Sequence, residues 1–166
     1  MANFKLSHFG VLDSVALDEY YEVDIDFNNK RIQLDLNFEN KAIELERLEM
    51  AHRFIENIRI HDLNNKKYIE QDFADEDGDT VGEYLEHHIE ELATDELNQL
   101  IGYNTKTVDQ SKLLLKKLYL TRVGLYPDSK EQFAIFDYTI GPELTDYLVV
   151  INTDENGNLD YITMES

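Results

Sequence analysis

The sequence predicts an α+β fold: one antiparallel sheet made from an N-terminal hairpin and four C-terminal strands, with four to five helices inserted between them and packed on one side. Three features carry that prediction. Apolar residues alternate with period two towards both ends of the chain, as half-buried strands require. The middle of the chain repeats its apolar residues with helical spacing instead. No stretch rich in Pro, Gly or Ser divides the 166 residues, which hold only two Pro and seven Gly, and no internal repeat is present. One domain spanning residues 1–166 is therefore expected.

The N-terminal hairpin is written in two runs. Tyr21, Val23, Ile25 and Phe27 alternate with Tyr20, Glu22, Asp24 and Asp26. After a turn at Asn28-Asn29-Lys30 the alternation resumes, with Ile32, Leu34, Leu36 and Phe38 on one side and Gln33, Asp35 and Asn37 on the other. A further short strand is expected over residues 4–9.

Helical spacing begins near Ile43. Leu48, Ala51, Ile55 and Ile58 form a stripe widened by Met50 and Phe54, and Glu44, Glu46 and Glu49 stand in the first turns, where the helix dipole favours anions. A second helix is expected over residues 63–74, burying Ile69 and Phe73, until Asp75-Glu76-Asp77-Gly78-Asp79 breaks it. A third starts at Thr80, capped by its hydroxyl, with Glu83 completing a capping box; Val81, Leu85, His88 and Leu92 share its buried face. Thr94 opens a shorter helix that stops near Gly102. Thr107 and Gln110 form a second capping box, opening a helix through about Lys117.

Period two returns over residues 118–126, 132–140, 147–152 and 158–164, which read as four strands. Leu148-Val149-Val150-Ile151 is apolar on both faces, the pattern of a central strand. Asn156-Gly157 is a tight-turn signal.

Composition narrows the function classes. There are 35 Asp and Glu against 15 Lys and Arg, a formal net charge of -20. Such a balance repels nucleic acid and anionic membranes and favours cationic partners. Lys112, Lys116 and Lys117 are too few for nucleic-acid binding. Apolar residues at 42% are enough for a packed core, which argues against disorder. The absence of cysteine removes disulfides, thiolate nucleophiles and Cys-ligated zinc, and it fits a reducing compartment. The N-terminus lacks the basic segment and apolar run of a signal peptide. No apolar run approaches the ~20 residues of a membrane span. The expected location is the cytoplasm.

Catalytic motifs are scarce. The sequence has no G-x-S-x-G, G-x-G-x-x-G, G-x-x-x-x-G-K or H-E-x-x-H. No cofactor is implied. If Gly78 stood at position 6 of a calcium loop, Asp75 and Asp77 would fill positions 3 and 5, but Phe73 and Tyr84 would occupy ligand positions 1 and 12. That segment reads as a solvated acidic loop. The run Asn152 to Asn158 likewise lacks the closing Glu, since Thr163 stands there, and reads as a hairpin turn. Carboxylates are so abundant that no pair of them singles out glycoside chemistry. Helical spacing places Glu83, His87 and Glu91 on one face, a candidate divalent-metal site; an exposed polar ladder is the simpler reading. His88 falls on the apolar stripe, where a hydrogen-bonded core position is expected.

The outward face of the first hairpin is more informative. Glu22, Asp24, Asp26 and Asp35 are expected to project together, beside Gln33 and Asn37. Like charges on neighbouring strand positions cost stability, and a Lys- or Arg-bearing partner would relieve that cost.

Two stretches, Leu17-Asp18-Glu19-Tyr20-Tyr21-Glu22-Val23 and Ile32-Gln33-Leu34-Asp35-Leu36-Asn37-Phe38, together with Gln71-Asp72-Phe73 and Tyr84-Leu85-Glu86-His87-His88, resemble a bacterial family, the domain of unknown function two-thousand-four family. The likeness covers roughly the first hundred residues. It implies an α+β fold and a bacterial cytoplasm, and it supplies no catalytic residues.

The sequence thus points first to a non-catalytic binding module, an immunity-like antagonist of a basic protein, touching its cationic partner through Glu22, Asp24, Asp26 and Asp35. The alternative is a metal-dependent hydrolase using Glu83, His87 and Glu91. A self-associating structural module is a third reading.

Overall fold

The computed structural model describes residues 2–103 and 107–166, except for the side chains of Thr107 and Val108. In chain order these residues form β1 (Asn3–Leu6), β2 (Gly10–Asp13), β3 (Tyr20–Phe27), β4 (Lys30–Asn37), α1 (Leu45–Glu56), α2 (Ile58–Ala74), α3 (Thr80–Glu91), α4 (Thr94–Ile101), α5 (Thr107–Leu115), β5 (Tyr119–Leu125), β6 (Ala134–Thr139), β7 (Leu148–Thr153) and β8 (Leu159–Glu165). The α+β architecture read from the sequence is the one observed.

Six strands make one sheet in the order β3-β4-β5-β6-β7-β8, and β1 pairs with β2 alone. All neighbours in the large sheet are antiparallel except β4 and β5, which are parallel. The sheet is therefore mixed where a wholly antiparallel one was expected. The reason is the connection. A hairpin joins antiparallel neighbours, whereas the five helices between β4 and β5 form a crossover that returns the chain to the starting end.

The β3–β4 turn consists of Asn28 and Asn29, with φ of 49° and 63°. A two-residue turn that matches strand twist needs left-handed backbone at both central positions, and Asn tolerates it better than most residues. The turn fixes the register Glu22↔Asp35, Asp24↔Gln33 and Asp26↔Arg31. Near the N-terminus, the single strand expected over residues 4–9 is instead the hairpin β1–β2. Its Leu6 and Leu12 join the main core.

Two features of the helix ends differ from expectation. The first apolar stripe breaks at Asn57, whose side-chain amide donates to the Arg53 carbonyl at 2.8 Å, so Ile58 opens α2 instead of closing α1. The Thr80–Glu83 capping box does not form. Thr80 lies inside the first turn of α3, and the Val81 N–H is taken by Asp72 Oδ2 from the end of α2 at 2.9 Å. That substitution depends on a tight loop: a Cβ on Gly78 would collide with the Asp72 carbonyl oxygen. The Thr107–Gln110 capping box lies outside the described residues. β7 stands beside the edge strand β8 and not at the centre, yet Val149, Val150 and Ile151 are all buried. Its outward Val150 is flanked by its cross-strand partners Asp137 and Thr163.

One hydrophobic core joins the elements. Leu34 and Leu36 of β4, Phe136 and Tyr138 of β6, and Val149 and Ile151 of β7 meet Phe54 of α1, Val81 and Leu85 of α3, and Leu114 of α5. Each fully buried Leu or Phe contributes about 1.5–3 kcal/mol from apolar burial. The helices thus occupy one face of the sheet. Alternation sends Glu22, Asp24, Gln33, Asp35, Arg122 and Asp137 to the other. Among the described residues no helix is long and apolar enough to cross a membrane.

Candidate functional site

The outward face of the sheet carries the acidic residues that the hairpin pattern singled out, but it does not treat them alike. Glu22, Asp24 and Asp26 are exposed along β3, an edge strand. Asp35 is opposite Glu22 in the register yet 0% exposed. The expectation that Asp35 projects with the others is corrected: it belongs to an internal ion pair.

The cause lies on β5. Parallel pairing sets Gln33 opposite Arg122 and Asp35 opposite Gly124. Arg122 leans over Gly124 and grips Asp35 with two bonds, Nε to Oδ2 at 2.7 Å and Nη2 to Oδ1 at 3.0 Å. A Cβ on Gly124 would stand 2.6 Å from Arg122 Nη2, so glycine is what opens this path. Asn37 donates to Asp35 Oδ1 at 2.8 Å and Gln33 donates to Oδ2 at 3.1 Å. A carboxylate with four donors, two of them from one bidentate guanidinium, has its desolvation offset. The third Arg122 nitrogen, Nη1, reaches Asp137 Oδ2 at a looser 3.4 Å.

The electrostatics follow. Burial works against the Arg122 charge, but the bonds and charges of Asp35 and Asp137 outweigh it and raise its pKa. Burial pushes the Asp137 carboxyl up, against the pull of Arg122. Desolvation and its bond to Glu22 push the Tyr20 phenol up to about 12, so Tyr20 remains a donor, to Glu22 Oε2 at 2.9 Å. Gln33 donates in turn to the Tyr20 oxygen at 3.2 Å, tying the exposed edge to the buried pair.

The edge acids have little compensation. Asp26 pairs with Arg31 at 3.0 Å, both largely exposed, a contact worth about 0–1 kcal/mol. Glu22 and Asp24 make no ion pair among the described residues. A rise of about 3.3–3.4 Å per residue spaces these two carboxylates by about 7 Å along the strand.

The geometry does not gather the residues of the metal alternative into a ligand set among the described residues. Glu83, His87 and Glu91 form no ligand group, and among the described residues no three His, Asp or Glu side chains converge to hold a metal ion. A shared helical face brings side chains near one another without making them converge on a point. The His87 ring packs edge-on to Tyr147, 4.8 Å between centroids. His88 is a core residue, as its position on the apolar stripe predicts. Nδ1 contacts the Tyr84 carbonyl at 2.6 Å and Nε2 the Thr145 hydroxyl at 2.8 Å. Burial lowers its pKa, which keeps the ring neutral and able to bridge the two. Tyr84 also accepts from the Ile140 N–H and donates to the Tyr147 carbonyl, so α3 fastens the loop between β6 and β7.

A third polar group lies under α2. Tyr138 donates to Asp62 Oδ1 at 2.7 Å, and Lys66 lies 3.3 Å from Oδ2. His61 stacks on Phe54, 3.8 Å between centroids, and burial lowers its pKa. The Asn65 amide, 1% exposed, lies close enough to the Tyr138 hydroxyl to influence it but makes no well-aligned hydrogen bond among the described residues.

Sequence reasoning missed Arg122 and Asp137. Their signal was weak but present: a lone arginine and a lone aspartate sit in otherwise apolar strands, where burial demands a partner. No family model, curated protein or solved structure matches the chain, so the likeness to the domain of unknown function two-thousand-four family rests on its short segments alone.

Proposed function

We propose that this chain is a non-catalytic binding module that neutralises a cationic protein, in the manner of an immunity protein, and that it works in the cytoplasm. The observation that carries the reading is the contrast on one sheet face. Asp35 is satisfied internally, while Glu22 and Asp24 stand exposed and without an ion pair among the described residues on the edge strand beside it. The docking residues are Glu22, Asp24 and Asp26; Asp35 supports them by holding β4 to β5.

The edge itself favours such a partner. An edge strand offers unpaired backbone N–H and C=O groups, and a second chain can pair with them. Charged side chains there block pairing between identical copies by repulsion. A strand bearing Lys or Arg meets no such barrier. The wider field acts in the same direction: residues 68–103 hold twelve Asp and Glu and no Lys or Arg. A field of that sign accelerates encounter with a basic protein and loses strength as salt rises.

The test is recovery of bound proteins from the native cell with the intact chain as bait. A basic protein is expected, with an association rate that falls steeply with ionic strength. The Glu22→Lys/Asp24→Lys variant should lose most of that rate and flatten its salt slope while keeping the wild-type melting temperature. A partner whose association is unaltered by the double reversal removes this surface from consideration.

A further inference from the structure

Between α2 and α5, both packed on α3, lies a groove of about 650 Å³. Ile69 and Phe73 line it from α2, and Leu115 and Leu118 from the α5 side; Lys66, Lys112 and Lys116 line it as well, with Glu70 as the single acid beside them. The spacing explains the grouping. Lys66, Ile69 and Phe73 follow one helical face, and Lys112 and Leu115 follow another, with Lys116 in the turn that ends α5. Three cations to one acid at this groove run against a composition in which acids outnumber bases by 35 to 15. Lys66 is committed to Asp62, but Lys112 and Lys116 are exposed and make no ion pair among the described residues.

We propose that this groove binds a free straight-chain carboxylate, its alkyl chain against Ile69, Phe73, Leu115 and Leu118 and its head group between Lys112 and Lys116. The volume lies in the ordinary range for a small-molecule site, about 300–1,000 Å³. The apolar lining calls for an apolar ligand body, and the two unpaired ammonium groups call for an anion. Scale decides between a small anion and an acidic peptide. A peptide would extend over the surrounding acidic surface and be repelled. A single carboxylate feels mainly charges within a Debye length, about 8 Å at physiological salt.

The experiment is calorimetric titration of the full chain with octanoate, decanoate and dodecanoate below their micellar concentrations, with the matching primary alcohols alongside. One saturable site is expected. Each added methylene that enters the groove should tighten binding by up to about fourfold, the equivalent of about 0.8 kcal/mol. The alcohols should bind at least tenfold more weakly. Lys112→Glu/Lys116→Glu, two exposed positions, should weaken dodecanoate by tenfold or more without changing the circular dichroism spectrum. Ala74→Trp, also an exposed position lining the groove, should block binding by filling it. Absence of saturable dodecanoate binding, equal affinity for the alcohols, undiminished binding by folded variants, or tighter binding of an acidic amphipathic peptide would each overturn the assignment.

Discussion

Arg122→Met tests the ion pair that holds the sheet's outward face together. Methionine keeps much of the aliphatic stem and removes the guanidinium. Asp35 would then retain Gln33 and Asn37 but lose its two arginine bonds while remaining fully buried. Breaking one side of a buried pair costs about 3–5 kcal/mol. The Arg122 side chain is 28% exposed, so solvent reaches its end of the pair, and about 3 kcal/mol is the appropriate figure. Asp137 adds little to the loss, because its contact with Arg122 is a single, long one at 3.4 Å. A chain of this length shifts its melting temperature by roughly 2–4 °C per kcal/mol, giving a fall of about 6–12 °C. Urea denaturation followed by far-ultraviolet circular dichroism measures the free energy, since the chain has no Trp. Combining Arg122→Met with Asp35→Asn should cost less than the sum of the single changes, with a coupling of at least about 1.5 kcal/mol. A loss below about 1 kcal/mol, or strict additivity, would show that the pair does not contribute to folding as argued.

Two further predictions concern the interior. Asn65→Leu replaces a buried amide that makes no well-aligned hydrogen bond with an apolar group of similar size and better helix propensity, and should raise stability by about 1 kcal/mol; a lower urea midpoint would show that the amide is satisfied in solution. His61 and His88 both have folded pKa values below the ordinary 6.5 because of burial. The unfolded chain therefore binds protons that the folded chain refuses. Stability should be full above about pH 6.5 and fall as pH drops towards the folded values, by up to about 1.4 kcal/mol per pH unit for each ring. Asp137, raised by burial, acts oppositely in a more acidic window: its favourable term is present below about 3.8 and lost as pH rises through its folded value. Urea unfolding between pH 5.5 and 7.5 should show the slope in the wild type and about half of it in His88→Gln; a flat profile in the wild type contradicts the neutral-imidazole reading.

Much of the fold was legible because local pattern and burial agree. The alternation through Val23 and Ile25, then Ile32, Leu34 and Leu36, fixed both strands and their shared face, and Asn28-Asn29 fixed the turn between them. The four C-terminal strands begin and end within about two residues of their apolar runs. What was not legible depends on contacts between distant segments. Nothing local to Asp72 marks it as the cap of α3. Nothing in β4 alone shows that β5 lies parallel beside it. Asp35 illustrates the cost of that blindness for the site: its alternation with Leu34 and Leu36 correctly gives its face, but its burial depends on Arg122, 87 residues away. Glu83, His87 and Glu91 fail in the reverse way, since shared helical phase is necessary for a ligand set and does not create convergence.

The internal pairing also determines where the protein's charge can act. Of the buried carboxylates, Asp35 and Asp137 share Arg122, and Asp62 is held by Tyr138 and Lys66. The interior therefore consumes both acids and bases in near balance, and the surplus of negative charge is displaced to the surface. Glu22 and Asp24 take part in that surplus on the outward face of the sheet, while Lys112 and Lys116 oppose it on the helical face. Opposite sign and opposite faces make the two surfaces separable. Reversing Glu22 and Asp24 alters the field that a cationic protein meets but leaves the lysine groove intact, and reversing Lys112 and Lys116 does the converse. Each variant is thus the other's control, and a ligand of the groove has no electrostatic reason to displace a partner from the edge strand.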